Sequence, residues 1–202
     1  MLAAGVSQQR MKRLILASKS PAKREVLERA GFRFDVVGTE VDETYRGEDP
    51  VRYVERLARE KAVAAAERFR PPEGVVVLGA DTVVVAESTL LGKPRSPTEA
   101  CQMLEKLSGG RHQVISGVAL VEPGSSRCIS GHEITQVYFR PLLPEEIQEY
   151  VTSGEAEGRA GAYAIQGRAA RFVARVEGCY FNVIGLPVAL VDRLLREWEG
   201  RG

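Results

Sequence analysis

The chain alternates short apolar runs with segments whose apolar residues recur every three or four positions, the pattern of strands interleaved with helices. Residues 14–17 (LILA) predict a first buried strand, and after a Ser/Pro turn a helix over about 21–30 ends at Gly31. Residues 34–37 predict a short second strand. Asp49-Pro50 reads as an N-cap and first helical residue, and Val54, Leu57, Ala58, Ala62 and Ala65 keep the helical period until Pro71-Pro72 ends it. Residues 75–85 (VVVLGADTVVV) are apolar on both faces and predict a central strand, with Gly79-Ala80 as a candidate break. Ser96-Pro97-Thr98-Glu99 predicts a capping box; Ala100, Met103, Leu104 and Leu107 share one face of its helix and Gly109-Gly110 closes it. Residues 112–121 and about 129–139, joined by the turn-rich 122–126, predict an antiparallel hairpin. A helix from Pro144 to near Gly154, a Gly-rich loop over 154–167, a strand at 172–176 and a terminal helix over 187–199 complete the reading. Helical crossovers together with a hairpin imply an α/β fold on a mixed sheet, since parallel neighbours need crossovers and hairpins join antiparallel ones.

Composition narrows the class. The 202 residues carry 28 Lys+Arg against 27 Asp+Glu, a formal net charge of +1. That balance argues against a protein that holds polynucleotides by bulk phosphate neutralisation. No stretch approaches the ~18 consecutive apolar residues of a membrane span. Cys101, Cys128 and Cys179 form no CxxC, so neither a disulfide framework nor a zinc knuckle is indicated, and a cytoplasmic protein is expected. Residues 1–10 read as a disordered tail ahead of a single domain over 11–202.

The residues that could carry chemistry are few. No GxxxxGK[ST], GxGxxG, HExxH or GxSxG motif is present, and His112 and His132 stand far apart in strand-like runs. Asp81 is the sharpest anomaly, a carboxylate inside an apolar run. Such a group binds a partner, takes up a proton, sits where a strand meets a cleft, or caps a turn between two short strands. Ser18-Lys19-Ser20-Pro21-Ala22-Lys23-Arg24 follows a buried strand and opens a helix, which fits either an ordinary Ser-capped helix or a phosphate cradle of hydroxyls, backbone N–H groups and cations. Lys61 lies in the apolar stripe of its helix, so it either snorkels or points its ammonium into a site. Lys93 follows Leu91-Gly92 at a strand end, where it is a solvated turn residue or a phosphate ligand. Glu40, Asp42, Glu43, Glu48 and Asp49 cluster around a single Arg46; one of these carboxylates could join Asp81 around a divalent metal. The small-residue loop 160–167 offers Tyr163 and Gln166 to a flat polar heterocycle, or is a plain connection. Taken together, this is an inventory for attack of water on a nucleoside triphosphate.

The same residues carry a resemblance. Ser18-x-Ser-Pro, Val41-Asp42-Glu43-Thr44, Leu57-Ala58-Arg59-Glu60-Lys61-Ala62, Gly79-Ala80-Asp81-Thr82, Leu91-Gly92-Lys93-Pro94, Leu107-Ser108-Gly109, Ala160-Gly161-Ala162-Tyr163 with Gln166-Gly167, and Asn182-x-x-Gly185-Leu186-Pro187 resemble the Maf (septum formation) nucleotide pyrophosphatases, in order, over about residues 13–196. The resemblance implies two lobes around a central cleft and a mixed, elongated sheet flanked by helices, similar to the inosine triphosphate pyrophosphatases, in a homodimer. It implies hydrolysis of a nucleoside triphosphate to the monophosphate and pyrophosphate by attack at the α-phosphorus, with Mg²⁺ or Mn²⁺. Asp81 matches the proton acceptor; Glu43, Lys61 and Lys93 match catalytic metal and phosphate groups, with Glu43 and Asp81 as metal ligands. Ser18, Ser20, Lys23 and Arg24 fall in the phosphate-binding turn. Thr82 and Gln166 match the branch that prefers dTTP and UTP, and Tyr163 joins them at the base. The turn departs from the usual Ser-x-Ser-Pro-Arg-Arg: Ala22 and Lys23 stand where the arginines would be, so position 22 loses a bidentate donor tied to substrate preference. Modified pyrimidine nucleotides as substrates, and a nucleotide-binding regulator of cell division with incidental hydrolysis, are the alternatives.

Overall fold

Capping residues fix where the helices begin. In a computed structural model describing residues 13–69 and 74–200, strand β1 (Arg13–Ala17) leads through the Ser18–Ser20 turn into helix α1 (Pro21–Arg29), where Ser20 Oγ accepts from the Lys23 N–H at 3.4 Å. Strand β2 (Phe34–Val36) follows, then helix α2 (Pro50–Ala66), capped by Asp49, whose Oδ1 accepts from the N–H of Val51 at 2.9 Å and of Arg52 at 3.4 Å. Strands β3 (Val75–Ala86) and β4 (Thr89–Leu91) precede helix α3 (Pro97–Leu107). There Ser96 Oγ caps the Glu99 N–H at 3.1 Å, but the Glu99 carboxylate reaches back to the Arg95 N–H at 2.7 Å, one residue before the position a capping box uses. Strands β5 (Arg111–Val121) and β6 (Cys128–Phe139) form the expected hairpin. Helix α4 (Pro144–Thr152), two 3₁₀ turns (Ala160–Ala162 and Arg168–Phe172), strand β7 (Val173–Glu177), helix α5 (Tyr180–Ile184) and helix α6 (Val188–Trp198) finish the fold.

The sheet runs β2-β1-β3-β5-β6-β7, with β4 paired to β3. Pairs β2/β1 and β1/β3 are parallel, and every other pair is antiparallel, so the α/β fold with a mixed sheet is as expected. Alternate residues of β3 serve opposite faces: Val76, Leu78 and Ala80 pack with Leu190, Val191 and Trp198 of α6, and Val75 and Val77 pack with Ala62 and Ala65 of α2. Farther along β3, Val84 and Ala86 join a separate cluster with Leu104 of α3, Tyr150 of α4 and Phe172. Asp81 and Thr82 therefore fall between two packed regions of the same strand.

Two sequence readings are corrected. Strand β3 is continuous across Gly79-Ala80. Gly79 instead admits helix α2, since a Cβ there would lie 2.0 Å from the Ala58 carbonyl oxygen. Gly117, paired with Asp81 in the sheet, is a second notch, where a Cβ would lie 2.4 Å from the Val54 carbonyl. Strand β4 supplies the strand end read before Lys93, whereas the short helix α5 was not foreseen, being too brief to show a period. The expected tail over 1–10 and the stop at Pro71-Pro72 lie outside the described residues. No helix among the described residues is long and apolar enough to cross a membrane.

Candidate active site

Helix α2 seats on the two glycine notches, and this brings Lys61 down onto β3. Its ammonium bonds Asp81 Oδ1 at 2.6 Å and Glu43 Oε1 at 2.6 Å. The Lys61 and Asp81 side chains are only 13% and 15% exposed, whereas Glu43 is 46% exposed. Burial opposes the charge on Lys61, but Asp81 and then Glu43 outweigh it and hold its pKa above the usual lysine value. Burial likewise works against ionised Glu43, and the hydrogen bond from Lys61 overcomes it, leaving the carboxyl below its usual value. The ambiguity over Lys61 is thus resolved in favour of an ammonium turned into a site.

Glu43 comes from a segment without regular secondary structure, yet its position is set by α2. Tyr53 donates its hydroxyl to the Glu43 carbonyl at 2.7 Å, and Arg56 donates to the Thr44 carbonyl at 3.1 Å while pairing with Glu48 at 2.6 Å. One helix therefore carries both the central lysine and the two side chains that hold the acidic segment against it.

Opposite this trio, Lys23 reaches inward from the first turn of α1. It is 8% exposed and donates to the Gly185 carbonyl at 2.7 Å and to Thr82 Oγ1 at 3.1 Å. Burial lowers its pKa to about 8, with Asp81 working in the other direction. Thr82 Oγ1 also contacts Ser116 Oγ at 2.8 Å and the Gly185 carbonyl at 3.0 Å.

A cleft of about 840 Å³ unites these groups. Ser18, Ser20, Ala22, Lys23, Glu43, Lys61, Asp81, Thr82, Lys93, Tyr163 and Gln166 all line it. Arg24 does not line it: its side chain points away, 63% exposed, and pairs with Glu28 at 2.7 Å one helical turn on. That follows from helical geometry, because successive residues of α1 face different directions and Lys23 occupies the inward one. Tyr163 is buried, and its hydroxyl is engaged with His112 Nε2 at 2.8 Å, so its ring forms wall while Gln166 is exposed at the rim. Sequence reasoning missed Ser116, Tyr53, Arg56 and the His112–Tyr163 pair, and it met Gly185 only within a motif, without the role of its carbonyl. Of those missed, only Ser116 left a trace, a hydroxyl within the apolar run of β5.

Glu43 and Asp81 are a hard oxygen pair already converging on one cation, the Lys61 ammonium. No cluster of three or more His, Cys, Asp or Glu suited to a metal occurs among the described residues. The donor set therefore fits Mg²⁺ or Mn²⁺ held by two carboxylates with substrate phosphate and water, and does not fit a cage made of protein ligands alone.

Comparison with known proteins identifies a family and named relatives for the whole chain. The family model described as Maf-like protein matches residues 13–198. A protein of Carboxydothermus hydrogenoformans named dTTP/UTP pyrophosphatase is 47% identical over 186 residues, covering 92% of this chain and 98% of its own. Namesakes from Pelotomaculum thermopropionicum and Symbiobacterium thermophilum are 45% and 47% identical, each over 93% of this chain. Among solved structures, the Staphylococcus aureus Ham1 protein aligns with a TM-score of 0.44 at 14% identity, over 95% of this chain and all of its own.

Proposed function

The chain belongs to the Maf family, and on that footing we propose that it is a nucleoside triphosphate pyrophosphatase acting on dTTP and UTP. Water attacks the α-phosphorus; a new P–O bond forms, the bond from the α-phosphorus to the bridging oxygen breaks, and the products are the nucleoside monophosphate and pyrophosphate. The observation that carries this reading is the Lys61 ammonium bonded to both Asp81 and Glu43 inside a cleft that also holds the Ser18–Ser20 turn and Lys23.

Asp81 is the proton acceptor. It sits on a central strand, and the Lys61 contact fixes one of its oxygens, so its carboxylate is oriented before the substrate arrives. Ser18, Ser20 and the first backbone N–H groups of α1 grip the triphosphate together with Lys23, where the helix dipole favours negative charge. Lys93, on the cleft wall, offsets charge on the departing pyrophosphate. Bound by Glu43 and Asp81, Mg²⁺ or Mn²⁺ would polarise the attacked phosphate and the water. The exposed Gln166 amide offers a donor and an acceptor to a pyrimidine edge, against a wall formed by Tyr163. Action as a cytoplasmic homodimer is part of this reading, and light scattering in solution tests the assembly.

A panel of unmodified and modified triphosphates with Mg²⁺ or Mn²⁺, scored for pyrophosphate, tests the activity. Release from dTTP and UTP ahead of the purine nucleotides is expected. Turnover on none of them would refute the enzyme reading in favour of a nucleotide-binding regulator, and preference for a modified base would move the substrate class.

A further inference from the structure

Thr82 lines the cleft directly beside Asp81, a position from which it could touch the nucleotide. Its hydrogen bonds leave the hydroxyl no capacity to bond to it. A threonine hydroxyl donates once and accepts twice. Three partners surround Oγ1: the Lys23 ammonium at 3.1 Å, the Gly185 carbonyl at 3.0 Å and Ser116 Oγ at 2.8 Å. Lys23 can only donate and the carbonyl can only accept, so the Thr82 proton goes to Gly185 and Ser116 donates to Thr82. This assignment gives each hydroxyl proton an acceptor. If Thr82 donated to Ser116 instead, the buried Ser116 proton would be left without a hydrogen-bond acceptor among the described residues, a costly arrangement.

Lys23 has three protons. One goes to the Gly185 carbonyl at 2.7 Å and one to Thr82, leaving the third for the cleft that Lys23 lines. A lysine is a point charge on a flexible stem, so its aim depends on the acceptors that hold it. Ser116 is fully buried and does not line the cleft, yet it completes the hydroxyl that holds Lys23.

From this geometry we infer that Thr82 and Ser116 are positioning residues: they read no part of the base and act on the nucleotide only by aiming the third Lys23 proton at one of its oxygens. The inference rests on the nucleotide reading of the cleft given above.

The test is a mutant cycle of Ser116→Ala, Thr82→Val, Thr82→Ser and Lys23→Met, with kcat/KM measured on dTTP and UTP and affinity measured calorimetrically for a non-hydrolysable dTTP analogue. Loss of one supporting hydrogen bond is expected to lower affinity and kcat/KM about threefold to tenfold for Ser116→Ala, and by at least about tenfold for Thr82→Val. Thr82→Ser, which keeps the hydroxyl, stays near wild type. The Ser116→Ala/Thr82→Val double variant is no worse than Thr82→Val, and Ser116→Ala adds nothing in the Lys23→Met background. A role confined to fold stability would not abolish the Ser116 effect when Lys23 is removed, and melting temperatures of all variants check that each is folded. A neutral Ser116→Ala beside an impaired Thr82→Val, or additive losses in the Lys23→Met background, would overturn the inference in favour of direct contact by Thr82. If wild type neither binds nor turns over any nucleotide, the function reading fails and this inference falls with it.

Discussion

Gly79→Ala tests whether the glycine notch is what joins helix to strand at the active site. A Cβ at this position would lie 2.0 Å from the Ala58 carbonyl oxygen and 2.8 Å from the Ala62 nitrogen, both backbone atoms that cannot rotate away. Recovering an ordinary 3.4 Å contact requires α2 to lift from β3 by about 1.4 Å. Lys61 lies between those two contact residues, and Asp81 lies two residues beyond Gly79. The lift therefore stretches their 2.6 Å hydrogen bond to as much as about 4 Å, beyond bonding distance. Overpacking of this kind costs about 1–3 kcal/mol, and in a domain of this size each kcal/mol lowers the melting temperature by about 2–4 °C. A fall of about 2–12 °C is expected, although alanine restricts the unfolded chain more than glycine and offsets part of it. Misplacing a reacting group by about 1 Å costs roughly a hundredfold in rate, so the larger effect is on kcat/KM for dTTP. The assays are a thermal melt and steady-state pyrophosphate release. Gly110→Ala is the control, because a Cβ there meets only the Leu107 carbonyl at 3.6 Å and Ser108 at 3.9 Å. An unchanged melting temperature with kcat/KM within twofold of wild type would refute the argument.

Asp81→Asn keeps the shape of the site but removes the proton acceptor, so it is expected to bind nucleotide while losing at least about a hundredfold in pyrophosphate release; wild-type turnover would exclude Asp81 as the base. Lys23, with its pKa lowered by burial to about 8, is a charged donor below that pH and neutral above it. Asp81 and Glu43 favour its charge and Lys61 and Lys93 oppose it, and the balance predicts a KM for dTTP that rises above about pH 8. A Lys23→Arg variant moves this rise to higher pH, and an unchanged profile would count against the role of Lys23. Burial holds His112 at about 4 in the folded chain, against an ordinary value of 6.5. Between those values the unfolded chain binds the extra proton, so stability falls as pH drops from about 6.5 to 4, by about 3 kcal/mol from this group. Urea melts of wild type and His112→Gln across that window measure the difference, and identical pH slopes would refute it. Ala22→Arg adds a forked donor on the cleft wall, and is expected to sharpen preference for dTTP and UTP over other triphosphates in the same pyrophosphate assay.

Much of this protein was legible before any coordinates. Apolar periodicity and caps located most of the larger elements to within a few residues, because Asp49, Ser96 and the prolines after the caps act over three or four positions of chain. A lone carboxylate in the apolar run of β3 marked Asp81 as costly to bury and therefore in need of a partner. What lay outside local pattern was each relation between distant segments. Gly79 looked like a strand break, whereas across the fold its missing Cβ makes room for a helix backbone. Arg24 and Lys23 are equivalent as neighbouring cations in sequence, yet helix rotation sends one into the cleft and the other to Glu28 in solvent. Ser116 shows in sequence only as a hydroxyl in an apolar run and Gly185 only as part of a motif, and they matter because β5 and the end of α5 converge on Thr82. The sequence by itself determined which residue types were available and which short elements would form, since those depend on near neighbours. Only tertiary structure decided which hydrogen bonds each polar group has left for a ligand, because that count depends on partners up to 162 positions away along the chain.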